Sequence, residues 1–374
     1  MIEVVSDAAG FEKLRDEWSE LLEASSADCI FLTWEWLFTW WKHLSTGRKL
    51  SILTVRRGHE LIALAPLAVQ PAGLRPFSLV RCVEFLGTGE VGSDYLDLIA
   101  KRGDEPEALR ALAEYLAETK PMLRMDHLKR QSCSANEVAR RLKERGWDSH
   151  DAKRSVAPFI DLAGHSWDSF LATLGSEHRY NFKRRLKNLT KHFAVRFEPA
   201  NSEEERRRAL ALLVELHGMR WQSNGSCGSF QDRSILSFHE EISRVALERG
   251  WLRLFVLWLD QKPAAALYAF RYRRVFYFYQ SGFDPVYGKF SVGLVAMGLA
   301  IKSALEEGAE EYDLLYGDEA YKFLWARQAR ELGRLEVYPP NAVGRIYRQA
   351  VEVNRAARKV ARQVLLQPAS PIKS

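Results

Sequence analysis

Two polar segments in the second half of the chain contain the residue types that group-transfer chemistry needs. The first covers residues 277–293, where a Gly/Ser loop carrying Lys289 leads into a helical pattern at Ser291. A strand that passes through such a loop into a helix brings free backbone N–H groups and a positive dipole end together. This arrangement binds phosphate or pyrophosphate, although an ordinary strand-to-helix turn with a serine cap fits the same residues.

The second segment, residues 312–325, ends a strand with a tight polar turn. Loops at strand ends carry functional residues more often than the elements that they connect. Asp318, Tyr321 and Lys322 in this turn could be charge partners for a substrate. A solvated cap or an exposed turn fits the same composition, so the residues alone leave both interpretations open.

Several other functional classes lack their signatures in this sequence. The nine histidines have neither H-x-x-x-H nor H-E-x-x-H spacing, so we predict no metal site. A hydrolase elbow, G-x-S-x-G, does not occur. The G-x-G-x-x-G string at residues 87–92 precedes strand-like alternation instead of the helix that a dinucleotide site requires. With four scattered cysteines, no signal peptide and no apolar run of ~20 residues, we expect a cytoplasmic protein.

The spacing of apolar residues predicts a mixed α/β fold of two units with largely antiparallel sheets. The chain has 374 residues, of which 47% are hydrophobic, enough for two cores. We place the units at residues 1–155 and 156–340. Closely spaced strands at 252–282, followed by a loop, a helix and a strand, argue against a doubly wound parallel sheet. The pattern also predicts helices at residues 10–24 and 321–329 and strands at residues 95–99 and 334–338.

Residues 341–374 are predicted to form a basic, amphipathic helix with a loose end. The excess of cations over anions in residues 345–374 accounts for the whole net charge of +6, and residues 177–196 carry a second basic stretch. Because this excess is local, we do not expect a DNA-binding protein. The apolar stripe of the helix could pack on the body. Alternatively, the helix binds an anionic partner, either the inner face of the membrane or a nucleotide.

Four motifs in the second half together resemble a known family. They are L-H-x-x-R-W at residues 216–221, Y-Q-S-G-F-D at residues 279–284, S-x-G at residues 291–293, and D-x-L-x-G-D-x-x-Y-K-x-x-W at residues 313–325. This set is similar to the CelD/BcsL-type branch of the GNAT acyltransferases, which is related to the FemAB-like aminoacyltransferases. Residues 31–41, 61–66 and 85–95 resemble the same branch, so the likeness covers roughly residues 1–340.

The resemblance implies two tandem GNAT-like units. It also implies an N-acyltransferase that uses acetyl-CoA and no metal. The acceptor would be an amino sugar or a similar amine in polysaccharide or cell-envelope biosynthesis. The resemblance implies His217 or Asp318 as the base, Tyr321 as an acid and Lys322 as an oxyanion or phosphate contact; a packed helix histidine fits His217 equally. The implied CoA-binding residues are Tyr279, Gln280, Ser281, Gly288, Lys289, Ser291, Val292 and Gly293.

The chain departs from the family at its pyrophosphate loop, which usually reads Q/R-x-x-G-x-G/A. Aligned on Gly293, this sequence has Gly288 and Ser291 at the preceding positions, so the first side chain and the first glycine of the pattern are missing. Aminoacyl-tRNA therefore remains an alternative donor. A non-catalytic regulator or scaffold with a GNAT-like body remains an alternative of a different class.

Overall fold

A computed structural model describes residues 1–71, 81–89, 91–131, 133–222, 230 and 232–365 of the chain. Cys227 and the tail beyond residue 365 lie outside these residues. The described strands are β1 Ile2–Val5, β2 Lys49–Leu50, β3 Ile52–Arg57, β4 Glu60–Ala65, β5 Leu67–Val69, β6 Cys82–Phe85, β7 Ile99–Ala100, β8 Met122–Lys129, β9 Asp148–Asp161, β10 Val195–Pro199, β11 Leu252–Leu259, β12 Lys262–Tyr272, β13 Val275–Phe283, β14 Glu311–Asp313 and β15 Gln328–Tyr338. The described α-helices are α1 Ala8–Lys13, α2 Arg15–Glu23, α3 Trp34–Leu44, α4 Glu105–Thr119, α5 Ser134–Lys143, α6 Trp167–Thr173, α7 Ser176–His192, α8 Glu203–Gln222, α9 Arg233–Glu248, α10 Val292–Glu306 and α11 Ala342–Leu365.

Most strands belong to one sheet that runs through both halves of the chain. Its order is β10-β11-β12-β13-β14-β9-β15-β8-β6-β5-β2, and a smaller sheet has the order β1-β3-β4-β7. Pairing is antiparallel except between β13 and β14 and between β6 and β8. The predicted mixed α/β fold with largely antiparallel sheets is confirmed. Strand β9 crosses the predicted boundary at residues 155/156, and β15 pairs with both β8 and β9; the division into units stays a prediction.

The largest element that the sequence analysis missed is β9, in which eight of the 14 residues are polar or charged and half are exposed. It pairs with β15 from Asp148 to Phe159, and it forms ion pairs with residues outside the strand, including Arg130–Asp151 at 2.9 Å and Lys153–Glu331 at 2.7 Å. Because these contacts need no apolar alternation, the strand leaves no periodic signal in the sequence.

Three further predictions were wrong in detail. The predicted helix at residues 10–24 is two helices that meet at Leu14. Only Ile99 of the predicted strand at residues 95–99 is in a strand; Tyr95 has a positive φ, and Asp97 accepts hydrogen bonds from the first N–H groups of α5. The predicted helix at residues 321–329 is a 3-10 turn at Lys322–Leu324, after which β15 begins at Gln328.

Helices cover the C-terminal part of the large sheet on both faces, and β13 contributes alternating side chains to the two cores. Tyr277 packs in the core that includes residues of α3, α8 and α9. Phe276 and Phe278 pack in a separate core with Phe182 of α7 and Met297 of α10. This alternation follows from the period of two in a strand and separates one face of the sheet from the other.

Helix α11 begins as predicted, directly after β15. Arg348 pairs with Asp148 of β9 at 2.5 Å and with Glu352 of its own helix. The side chains of Val343, Ile346 and Val353 remain exposed, so residues 342–353 of the helix do not pack on the body through this stripe. Its anionic partner stays a prediction. None of the described helices is both long and apolar enough to cross a bilayer.

Gly282 of β13 provides a test of the packing between this strand and α8. A Cβ atom at Gly282 would lie 2.3 Å from the backbone nitrogen of His217, so one of the two elements would have to move. We expect Gly282→Ala to lower the free energy of unfolding by about 1–3 kcal/mol, the usual cost of overpacking. Gly288→Ala is the matched control, because a Cβ there meets no atom within 4 Å. Equal urea midpoints for the two variants would contradict this packing.

Candidate active site

The site forms where strands β13 and β14 separate. The two parallel strands pair only at Val275–Tyr277 with Glu311–Asp313. Strand β13 then continues to Phe283 beside β12 alone, with a bulge around Tyr279, whereas β14 ends. Among the described strands, none lies against the other edge of β13 beyond Tyr277. The sheet therefore has a gap that opens to both of its faces.

On the face covered by α7 and α10, a cavity of about 480 Å³ adjoins this gap. We call it the donor cavity. It brings together four of the residues predicted from the sequence, Ser281, Ser291, Gly293 and Tyr321. The remaining lining comes from α7, the end of β13, α10 and the segment around the 3-10 turn. It consists of His178, Asn181, Arg185, Phe283, Leu294, Met297, Leu324 and Trp325.

The N-terminus of α10 faces this cavity without a side-chain cap. Ser291 occupies the N-cap position with a φ of +55°, and its side chain makes no capping hydrogen bond. The first N–H groups of the helix are therefore available to an anion. The Arg185 guanidinium reaches the same turn and donates to the carbonyl oxygen of Lys289 at 2.6 Å. Gly288 and Lys289 are exposed on this turn, whereas Val292 is buried in the core.

A second, smaller cavity of about 180 Å³ lies against the opposite face of β13. We call it the acceptor cavity. Two residues predicted to bind CoA, Tyr279 and Gln280, line this cavity instead of the donor cavity. The Tyr279 hydroxyl donates to the carbonyl oxygen of Val91, and Gln280 Oε1 accepts from the N–H of Ser281 at 3.0 Å. The other lining residues come from both halves of the chain and are Val91, Gly92, Asp94, His127, Phe230, Ile235, His239, Leu315 and Tyr316.

The remaining predicted catalytic residues line neither cavity. His217 is buried on α8, where its ring contacts Phe230 edge-on at 5.1 Å between centroids. Lys322 is also buried; its ammonium group donates to the carbonyl oxygens of Leu315 and Tyr316, the latter at 2.7 Å, and pairs with Glu319. Lys322 thus holds the turn at residues 315–319 in shape. Asp318 is exposed on that turn.

The sequence analysis missed a buried acidic network at the end of β14. Asp313 accepts hydrogen bonds from the Tyr95 hydroxyl at 2.6 Å and from the N–H of Leu315, and it pairs with Arg330 at 3.2 Å. Burial, reinforced by the charge of Glu311, raises the pKa of Asp313 to about 7 despite these partners. No local motif marks such a network, because its members are separated by up to 235 positions in the chain.

The sequence analysis also did not identify three histidines that line the cavities, because the surroundings of each come from segments that are distant in the sequence. His127 binds buried Asp94 through Nδ1 at 3.3 Å. Burial lowers the pKa of His178 in the donor cavity and lowers that of His239 in the acceptor cavity to about 3. Among the described residues, none bonds to Nε2 of His178 or to Nδ1 of His239. Likewise, the described residues contain no cluster of His, Cys, Asp or Glu that could hold a metal ion.

Comparison with known proteins agrees with this geometry. Residues 176–323 match the family described as Acetyltransferase (GNAT) domain. The matched stretch is 148 residues long, about two fifths of the chain. It contains both edges of the gap, the N-terminus of α10 and most of the lining of the donor cavity. No curated protein matches the chain in sequence.

Solved structures share the fold well beyond this stretch. FemX aligns with a TM-score of 0.63 over 90% of this chain and 98% of its own, at 13% identity. L-PGS from Bacillus licheniformis aligns with a TM-score of 0.53 over 92% of this chain and 96% of its own, at 10% identity. The C-terminal domain of a putative lysylphosphatidylglycerol synthetase from Agrobacterium fabrum gives 0.52, with 91% and 96% coverage and 12% identity. At these identities the likeness concerns the fold.

The raised pKa of Asp313 predicts a pH dependence of stability. The folded state holds this proton to about pH 7, whereas an unfolded aspartate releases it near its ordinary value of 3.8. The free energy of unfolding of the wild type therefore falls as the pH rises through that window. We expect the stability of Asp313→Asn relative to wild type to increase by about 2 kcal/mol or more between pH 4.5 and 7.5. Urea denaturation across this range measures it, and parallel pH profiles for the two proteins would contradict the expectation.

Proposed function

We propose that the protein is an N-acyltransferase that moves an acetyl group from acetyl-CoA to the amine of an amino sugar or a similar metabolite. The observation that carries this proposal is the pair of cavities on opposite faces of one gap in the sheet. A thioester in the donor cavity and an amine in the acceptor cavity meet beside Tyr279–Ser281. The resemblance to the CelD/BcsL-type branch supports polysaccharide or cell-envelope biosynthesis as the setting.

The donor cavity suits the two chemically different parts of an acyl-CoA. Its polar end, with the uncapped N-terminus of α10 and Arg185, suits the pyrophosphate. Its apolar lining, which includes Phe283, Leu294 and Met297, suits the acyl arm. In the structure the Ser281 N–H donates to Oε1 of Gln280. Once that side chain is displaced, the N–H can polarise the thioester carbonyl.

Transfer forms a C–N bond between the acceptor amine and the carbonyl carbon and breaks the C–S bond to CoA. The amine must lose a proton and the leaving thiolate must gain one. Tyr321 lines the donor cavity, where the thiolate forms, and is therefore our candidate for the acid. Neutral His178 lies in the same cavity and contacts Trp325 edge-on at 4.5 Å between ring centroids.

Binding of acetyl-CoA tests the donor assignment. We expect millimolar acetyl-CoA to raise the melting temperature of the wild type. Gly293→Asp should weaken this binding at least tenfold, because it places a carboxylate beside the phosphates at the N-terminus of α10. Gly293→Asn has nearly the same size without the charge and should retain more of the shift. A Cβ at this position meets only Phe283, at an ordinary 3.5 Å, so both variants should fold. A wild-type protein without any shift would overturn the CoA assignment.

One feature favours aminoacyl transfer from tRNA as a second candidate. Helix α7, whose residue Arg185 lines the donor cavity, exposes Lys183, Lys187 and Lys191, and none of these lysines has an ion-pair partner among the described residues. The helix is about 25 Å long, so its cations extend farther than one pyrophosphate needs. A nucleic-acid backbone could use the whole strip.

A charge reversal separates the two donors. We expect the triple variant Lys183→Glu, Lys187→Glu and Lys191→Glu to keep the acetyl-CoA shift, because these lysines do not line the donor cavity. If tRNA is the donor, wild type should bind charged tRNA with a steep salt dependence and the triple variant should lose that binding. If the wild type does not bind charged tRNA at low salt, this candidate is wrong. CoA binding without turnover on any amine would instead indicate a regulator.

A further inference from the structure

The acceptor cavity contains a histidine–carboxylate pair supplied entirely by the N-terminal half. His127 lies on β8 with a φ of +59°, an unusual conformation for a histidine within a strand. Its Nδ1 lies 3.3 Å from Oδ1 of Asp94, which is only 1% exposed. The other oxygen of Asp94 accepts the N–H of Tyr316 at 2.7 Å. The carboxylate therefore connects His127 to the turn that follows β14.

These contacts determine which nitrogen of His127 can accept a proton. An ionised carboxylate only accepts hydrogen bonds, so Nδ1 must carry the hydrogen that it shares with Asp94. Nε2 then carries the lone pair, and no hydrogen bond joins it to another residue in the described part of the chain. This is the tautomer that a general base requires.

We propose that His127 is the catalytic base that deprotonates the acceptor amine and that Asp94 is its positioning residue. The inference rests on the proposed function. The amine proton moves to Nε2 of His127, and the amine nitrogen attacks the thioester carbon. The departing thiolate takes a proton on the donor side. Asp94 stabilises the imidazolium that forms.

The surroundings of His127 favour this assignment over the other histidines. Burial opposes its protonation, but the hydrogen bond and charge of Asp94, aided by Asp126 on the same strand, raise the pKa of His127 above its ordinary value. Arg334 on β15 acts in the opposite direction. The other titratable groups around the acceptor cavity are Tyr279, Tyr316 and His239.

None of the three other histidines near the site can serve as well. His239 has a pKa of about 3, too low to hold the proton of an amine. His217 does not line the acceptor cavity. His178 lies on the other face of the sheet, in the donor cavity.

His127→Gln tests the base directly, because an amide can keep the bond to Asp94 but cannot take a proton. With acetyl-CoA and D-glucosamine as probes, we expect kcat, measured as release of CoA thiol, to fall by about 10²-fold or more. The melting-temperature shift with acetyl-CoA and the KM for the amine should change little. Free imidazole should restore part of the rate in His127→Ala. The matched control is His150→Gln, an exposed histidine on β9.

Asp94→Asn tests the positioning role through a pH profile. Above its pKa the imidazole is neutral and active, so kcat/KM should rise with pH through that value. Replacing the carboxylate removes the charge that raises this pKa, and the rise should move to lower pH with a lower plateau. A structural role alone would lower the plateau without moving the rise.

The outcomes for the base and for the whole reaction are distinguishable. An active enzyme whose rate, pH profile and imidazole response are unchanged in His127→Gln and His127→Ala would overturn this inference alone. Failure of the wild type to bind acetyl-CoA would overturn the proposed donor, and the inference with it.

Discussion

The three-residue pairing between β13 and β14 is the constraint on which the rest of the site depends. Because the strands separate after Tyr277 and Asp313, one sheet exposes both of its faces at a single point. The donor cavity can then open beside α10 and the acceptor cavity beside β8. The same end of β14 carries Asp313 and leads into the turn that Lys322 holds. A longer pairing would close the gap and separate the two cavities.

Elements with a strong local signal could be predicted from the sequence, and those that depend on distant partners could not. Strand β11, in which residues 254–259 are all apolar, lies within the strands predicted at residues 252–282. Strand β9 was missed because its charged side chains form ion pairs with neighbouring segments instead of packing in a core. Tyr95 was assigned to a strand because its neighbours alternate, whereas this segment serves to bring carboxylates to the start of α5 and to the site.

The site was predictable in the same uneven way. Ser281, Ser291, Gly293 and Tyr321 lie in two nearby segments with recognisable motifs, and the structure brings them to one cavity. The pair formed by Asp94 and His127 has no motif, because the two residues are 33 positions apart and meet only in the folded chain. Lys322 stood out as a conspicuous charge near the site, but its bonds to backbone carbonyls become visible only in the folded chain.

The position of β15 has a consequence for how the chain is made. This strand inserts between β9 and β8, yet it follows β9 by more than 160 residues in the sequence. During synthesis, β8 and β9 must therefore wait on the order of ten to thirty seconds for the strand that joins them. Their unpaired edges could meanwhile join other chains, and the charges of β9 make such pairing unfavourable. The polar composition that hid this strand from sequence analysis thus protects the nascent protein from aggregation.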